Sequence, residues 1–536
     1  MSRLSELRQN RVLFLLDLTW GGVVYRLGTD EIDETIDGEL RHYSDGLDFG
    51  DSWEDSLDLF TVSPSERAIS ITLSLAGLVD VPARIADGHV LAAATARLAI
   101  YVENSGVSQT LLDGDVRQVE YGATDEPVTM TIEERPLLAP GLLPDPLQRL
   151  LAPAEFDNLS PRVLGQFYPI IFGYPGGEGG WGSPALQHDA WLGGTGSMVV
   201  AGNECTPGTV LVVNGSDDST QARTVNIERD NNQASVLRTA IDVTDPTLTA
   251  TSDAPYYLRW TRGNAGGVPS RRDPSTPMRG AGEIMRWLLD RSGARVDQGR
   301  MAILEQQLDA YRLDAALVPG PTRISPLEWV ERQLVPILPI SARVSSDGLY
   351  YVPWKWGATA TDVVAKLNAD EHQMSRVGAV EYSDRDDLYQ QITLDYEFDY
   401  RHNSHQSSLL YTGDRTLANS DVDAQLDPFL EYGFNLHARG HRSQVRSLQR
   451  RTNVVVEEAT SHLVLQYLSR RYGLQSRLVR YEVDPELAWL EPGHVVEITD
   501  EDLALVERIA LVEGVALSSN RSVGLALRLL SNPAQR

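Results

Sequence analysis

Two histidines four residues apart, in His437-Ala438-Arg439-Gly440-His441, have the spacing with which a helix presents two imidazoles to zinc. The residue after the first histidine is Ala438, where a water-activating glutamate would stand, and Gly440 weakens a helix there. The pair therefore reads as surface histidines, with a metal site as the alternative. His402 and His405 follow a strand in a Ser/Asn-rich turn and read as solvated. Cys205 is the one cysteine, which excludes an internal disulfide framework and a cysteine-based zinc site. It reads as a loop or core thiol.

The glycine clusters at 173–182 and 193–196 lack the Lys-Ser/Thr that follows a phosphate-binding loop. Neither sits in a βαβ unit with a later acid for a ribose, so both read as irregular loops. No Gly-x-Ser-x-Gly elbow is present. Carboxylates cluster at Asp384, Asp386 and Asp387, and at Asp48, Asp51, Glu54, Asp55 and Asp58. Neither group has the alternation, glycine and terminal glutamate of a calcium loop. A glycosidase pair is assembled only by the fold, so spacing cannot select one. The sequence thus nominates no catalytic, cofactor-binding or metal-binding residue.

The elements that would position any site are mostly strands. Ile69, Ile71, Leu73 and Leu75 alternate with Ser70, Thr72 and Ser74, the period of a half-buried strand. Segments 97–102, 116–121 and 128–132 read as further strands, with turn signals at Asn104-Ser105-Gly106 and Asp113-Gly114. A second β region has strands at 197–201, 209–214 and 223–228. Residues 262–280, rich in Gly, Pro, Ser and Arg, read as the clearest linker. Behind it the period becomes helical at 284–289, 301–308 and 325–334. Ile392, Leu394, Tyr396, Phe398 and Tyr400 share one strand face, and 459–472 is an amphipathic helix stopped by Gly473. Strands return at 478–483, 495–499, 505–512 and 523–530.

At 536 residues the chain exceeds one hydrophobic core, and three or four domains are expected. The apolar fraction of 42% and charged fraction of 23% are those of a folded globular protein, not a disordered one. No stretch has the ~18–20 apolar residues of a membrane-spanning helix. Residues 1–11 lack the apolar core of a signal peptide, so synthesis in a cytoplasm is expected. A net charge of −28 argues against nucleic-acid binding through a basic surface. It remains compatible with a surface past which DNA slides. Of 47 basic residues only Lys355 and Lys366 are lysines, the skew of a GC-rich bacterial or phage coding sequence.

The C-terminal part carries a resemblance. An amphipathic helix and a strand precede Val483-Asp484-Pro485-Glu486-Leu487-Ala488-Trp489-Leu490-Glu491-Pro492-Gly493-His494-Val495-Val496-Glu497-Ile498-Thr499-Asp500. Pro492-Gly493 makes a tight turn in which glycine can take positive φ. This order resembles the last tube-type domain of the tail-tip or baseplate hub proteins of long-tailed phages and gene transfer agents. Segments 326–351 and 389–400 fit the same pattern, and the matched stretches cover about a third of the chain.

The resemblance implies an α+β, mostly β fold, with tube-like β-barrel domains at both ends and mixed peripheral domains between. The expected domains are 1–136, 160–270, 281–375 and 380–536, the last with a helix at 460–472. It further implies a non-enzymatic virion protein at the tail tip, a homotrimer whose first and last domains pack together in a ring. Its partners would be the distal tail and tail tube proteins, the tape measure protein, and a central fibre or spike with peripheral fibres. DNA would pass through the lumen without specific binding, and no cofactor or membrane insertion is implied. A distal tail or fibre-attachment protein, a tail-associated cell-wall hydrolase and a secreted carbohydrate-binding protein are the alternatives.

Overall fold

The computed structural model of the chain describes residues 12–36, 39–48, 53–56, 68–75, 78–102, 107–121, 127–134, 141–144, 165–176, 182–187, 196–214, 220–229, 237–243, 256–262, 264–345, 348–355, 358–368, 374–382, 388–389, 391–412, 446–473, 476–483, 485–517 and 523–530. Strand predominates over helix among them. The chain divides into two compact units. One comprises 1–137, 341–384 and 475–536, and the other comprises 138–340 and 385–474.

The first unit opens with a nine-stranded sheet. Its order is Ile32–Ile36, Glu39–Asp45, Val23–Gly28, Val12–Trp20, Thr95–Val102, Val107–Tyr121, Val128–Glu134, Ala68–Leu73 and Leu47–Asp48. The Val12–Trp20 strand is almost continuously apolar because both its faces are covered. Phe14, Leu16, Leu18 and Trp20 enter the main core, while Leu13 and Leu15 pack with Ile32, Ile36, Tyr43 and Tyr101.

Asp113-Gly114, expected to be a turn, lies inside the 15-residue Val107–Tyr121 strand. The ladder to Val128–Glu134 shifts register between Thr131 and Ile132, and a Cβ on Gly114 would stand 2.1 Å from the Glu133 carbonyl oxygen. Glycine serves close strand approach at this irregularity, not chain reversal.

The second sheet of this unit is built mainly from the end of the chain. Val363–Asn368, Val495–Asp500, Leu505–Leu517, Val523–Leu529, Arg477–Val483 and Ser375–Arg376 follow in that order. Glu381–Tyr382 also pairs with Arg477–Val483, and Trp53–Ser56 joins Leu505–Leu517. Gly493 has φ +97 and lies where a Cβ would meet Val352 Cγ1 at 2.2 Å, so the expected Pro-Gly turn requires its glycine twice over. Neither terminal sheet closes into a barrel among the described residues.

The sheet that does close belongs to the second unit. Six antiparallel strands, Ser183–Gln187, Gly196–Ala201, Leu237–Val243, Thr220–Arg229, Thr209–Asn214 and Tyr256–Arg259, form a closed barrel. Val210, Val212, Val225, Leu258 and Trp260 cluster with Cys205, so the lone thiol is a core residue. Helices Ala281–Ser292, Gln298–Gln307 and Pro326–Gln333 follow. Asp297 and Ser325 cap the latter two by accepting from the Arg300 and Glu328 N–H groups.

Residues 264–280 are not a linker. Ala265 and Met278 are fully buried, and the Val268 N–H donates to the Ile171 carbonyl while Gly267 N–H donates to that of Gly173. Gly267 is there because a Cβ would lie 2.2 Å from the Ile171 oxygen. Composition suggested freedom, but the glycines admit tight backbone packing.

Ser404–Thr412, Gln391–Asp399 and Ser447–Arg451 form a three-stranded sheet in this unit, to which helix Glu458–Gly473 also belongs. The expected alternation holds through Tyr396 and then breaks. Glu397 adopts φ +58, and Asp399 is buried where Phe398 was expected to be.

Replacing Gly114 by valine is expected to destabilise the first unit by about 1–3 kcal/mol through overpacking against the neighbouring strand. A lowered urea midpoint followed by tryptophan fluorescence checks it, and an unchanged midpoint would refute the close-approach account.

Candidate functional site

The two ends of the chain build one hydrophobic core. Ile71, Leu98, Val116 and Met130 from the first sheet share a cluster with Val479, Tyr481, Val512, Leu525 and Leu527 from the second. The connection is also a backbone one. Trp53, Glu54, Asp55 and Ser56 stand opposite Leu517, Ala516, Val515 and Gly514 in the antiparallel ladder. An early segment thus supplies a strand to the sheet of the last segment.

Polar groups inside the second sheet are satisfied in place. The Tyr481 hydroxyl donates to Asp500 Oδ2 at 2.6 Å, and burial with that neighbouring carboxylate pushes the phenol well above its ordinary range. Arg528 holds Glu513 through Nε and Nη2, each at 2.8 Å, and also donates to the Ser476 hydroxyl. Such bidentate geometry fixes register as well as charge.

Charge is distributed unevenly between the units. The first holds 41 Asp and Glu against 20 Lys and Arg, a net −21, and the second 34 against 27, a net −7. Three quarters of the net negative charge therefore lies in the unit that joins the two ends.

The second unit has a buried ionic junction. Asp314 Oδ1 accepts from Arg279 Nε at 2.7 Å and from the Tyr174 N–H at 2.8 Å, and Oδ2 accepts from Arg279 Nη2 at 2.6 Å. Arg279 continues to Glu457 at 3.1 Å, and Arg262 reaches the other Glu457 oxygen at 2.7 Å. Burial pushes the Asp314 carboxyl up against the opposing pull of Arg279. Burial would also raise Glu457, but Arg262 and Arg279 outweigh it and hold that carboxyl below its ordinary range. The guanidinium of Arg279 also lies 5.7 Å from the Tyr174 ring centroid. The cluster ties four chain segments together, and every acid in it is matched by arginine. Its chemistry is that of a clamp.

Among the described residues, those singled out by spacing are not brought together. His402 Nδ1 lies 2.8 Å from Asp399 Oδ2, but Asp399 Oδ1 is spent accepting from the Arg401 and His402 N–H groups. Asn403, next in line, has φ +50, so this is a hairpin turn held by an aspartate. His405 packs beside Phe398, and burial holds its imidazole below the ordinary range. Asp48 pairs opposite Thr72 in the nine-stranded sheet, whereas Glu54 and Asp55 lie on the strand of the other sheet. His437, His441, Asp51, Asp58, Asp384, Asp386, Asp387 and the glycines at 177–180 and 193–195 lie outside the described residues. Among the described residues no three His, Cys, Asp or Glu side chains converge to hold a metal, and no helix is long and apolar enough to cross a membrane.

Sequence reading missed the Arg262–Glu457–Arg279–Asp314 junction. Its one visible signal was the density of arginine in a segment taken for a linker, which a free linker has no reason to carry.

No family model matches the chain, and no curated protein matches it. Solved structures similar to it include the tail protein from Neisseria meningitidis MC58, at 8% identity and TM-score 0.36, covering 97% of each chain. The 43 kDa tail protein of prophage MuSo2 from Shewanella oneidensis is similar at 9% identity and TM-score 0.36, over 96% of this chain and 98% of that one. The E. coli c3393 protein, a type VI secretion component described as structurally similar to the T4 tail proteins gp27 and gp5, is similar at 8% identity and TM-score 0.32. That likeness covers 96% of this chain and 76% of the other.

Removing Arg279 with Arg279→Met strands the Asp314 carboxylate and is expected to cost the second unit about 3–5 kcal/mol, measured by chemical denaturation. Because Glu457 is depressed in the folded state, its stabilisation is present above its unfolded value and is lost as pH falls through the folded one. Glu457→Gln should therefore lower stability at pH 7 and flatten its decline in acid. A variant whose acid limb matches the unmodified protein would refute this assignment.

Proposed function

We propose that the chain is a structural protein of a phage-type tail, the hub at the tail tip. Three copies form a ring that joins the sixfold tail tube to a central fibre or spike and lets DNA pass during ejection. The observation that carries this reading is the union of the two chain ends, with Trp53–Ser56 placed in the C-terminal sheet. A ring with twice as many sheet segments as subunits needs two segments per chain held in fixed relation. One core and a shared ladder supply that rigidity.

The charge distribution supports the same reading. A net −21 in the joining unit suits a lumen wall that repels DNA phosphates instead of holding them. The second unit then takes the contacts to fibres and neighbouring tail proteins. Its barrel and clamped helical region offer a stiff body for this, and no residue of either unit is assigned a catalytic, cofactor or metal role.

Native mass spectrometry and electron-microscopic class averages of the purified protein test the proposal. A trimer with an open threefold ring is the expected result. A sixfold ring would transfer the chain to a distal tail role, and monomers at every concentration would overturn the ring. Cell-wall zymography is expected to be blank.

A further inference from the structure

Two outer strands of the first unit have opposite chemistry. Ile32–Ile36 pairs only with Glu39–Asp45 among the described residues, so its other edge has no strand beside it. Asp30, Glu31, Asp33 and Glu34 lie within five residues of sequence that contain no lysine or arginine. Arg41, opposite Glu34, is turned to Asp17 and Glu39. Leu40, across from Thr35, is 76% exposed.

A second outer edge is made by two short strands, Ser375–Arg376 and Glu381–Tyr382, each pairing only with Arg477–Val483 among the described residues. Ser375 and Arg376 face Glu482 and Tyr481, then Glu381 and Tyr382 face Leu478 and Arg477, with Gly378 at φ +77 in the non-strand stretch between them. Val377 is 51% exposed and Tyr382 56% exposed. Glu381, the one acid at 375–382, is ion-paired with Arg480. Arg477 lies over the Tyr382 ring at 5.9 Å, and no carboxylate pairs with Arg376 or Arg477 among the described residues. The edge is apolar and cationic.

We propose that a second copy of this chain docks here, the acidic Ile32–Ile36 edge of one copy against the arginine-flanked 375–382 edge of the next. This rests on the ring reading above and names the surfaces that would close it. Open sheet edges with exposed apolar side chains pair with other chains unless something blocks them. Charge selects which pairing occurs. Two acidic edges repel, as do two cationic ones, so the symmetric face-to-face dimer is disfavoured. The unlike pair attracts. An unlike pair is a head-to-tail contact, the kind that closes into a ring when the rotation per subunit permits. Leu40 then has Val377 and Tyr382 as apolar counterparts, and the arginines meet Glu31 and Glu34. The interruption at 377–380 also breaks the long flat edge that indiscriminate pairing needs.

Charge reversal on the full-length protein tests this by sedimentation velocity. Arg376→Glu with Arg477→Glu, and separately Glu31→Arg with Glu34→Arg, should each weaken assembly at least tenfold. All four changes together should restore it, and circular dichroism should show every variant folded. Wild-type assembly should weaken as NaCl is raised. If both double variants form the wild-type ring, the edge assignment falls while the ring reading stands. If the quadruple variant is folded yet remains monomeric, charge pairing between these edges is likewise refuted. A wild-type protein monomeric at all concentrations overturns both readings at once.

Discussion

The backbone pairing of Trp53–Ser56 with Leu505–Leu517 constrains everything else in the first unit. It joins residues more than 450 positions apart in sequence, so the entropy of closing that loop must be offset by burial along the joint. The offset is visible in the single core to which both sheets contribute. Leu16, Leu98, Val512 and Leu527 are each fully inaccessible, and each such side chain contributes about 1.5–3 kcal/mol on transfer from water. Neither terminal segment can bury its apolar face alone. The chain must leave for the second unit and return before the first is complete.

Arginine solves a recurring problem in this acidic protein. The cation meets several of the carboxylates taken out of water, and its planar fork satisfies two acceptors at once. Arg279 with Asp314 and Arg528 with Glu513 are the two clearest cases, one in each unit. Arg271 to Asp290, and Arg272 to Glu305 and Asp309, extend the device along the segment that enters the helices. Asp500 and Asp399 are instead satisfied by the Tyr481 hydroxyl and by backbone N–H groups, and most of the remaining described acids lie where water can reach them. There the acid excess acts through long-range repulsion, and it falls chiefly on the unit that joins the chain ends.

The local periods of the sequence were faithful guides to the elements. The alternation around Ile69 gives the Ala68–Leu73 strand, the run at 284–289 gives the Ala281–Ser292 helix, and Pro492-Gly493 gives a positive-φ turn. Glycine misled where its role was proximity. At Gly114 and Gly267 the cause is a neighbouring carbonyl oxygen within 2.2 Å of where a Cβ would be, which is a fact about another segment. Asp399 shows the same limit. Its burial follows from the left-handed turn of Glu397, which no alternation of residue types announces.

The sequence by itself determined the mostly β character, the positions of the principal helices, the strong acidity and the lack of any compact catalytic motif. These depend on neighbours within a few residues, where side-chain period and backbone preference act directly. Only the tertiary structure decided that the closed barrel lies within 183–259, that Arg279 closes on Asp314 and Glu457, and that the two chain ends share one core. Each of these is a pairing between distant segments. Such pairings are chosen by which edges, charges and apolar faces meet when the whole chain is packed, and residue spacing carries no term for that.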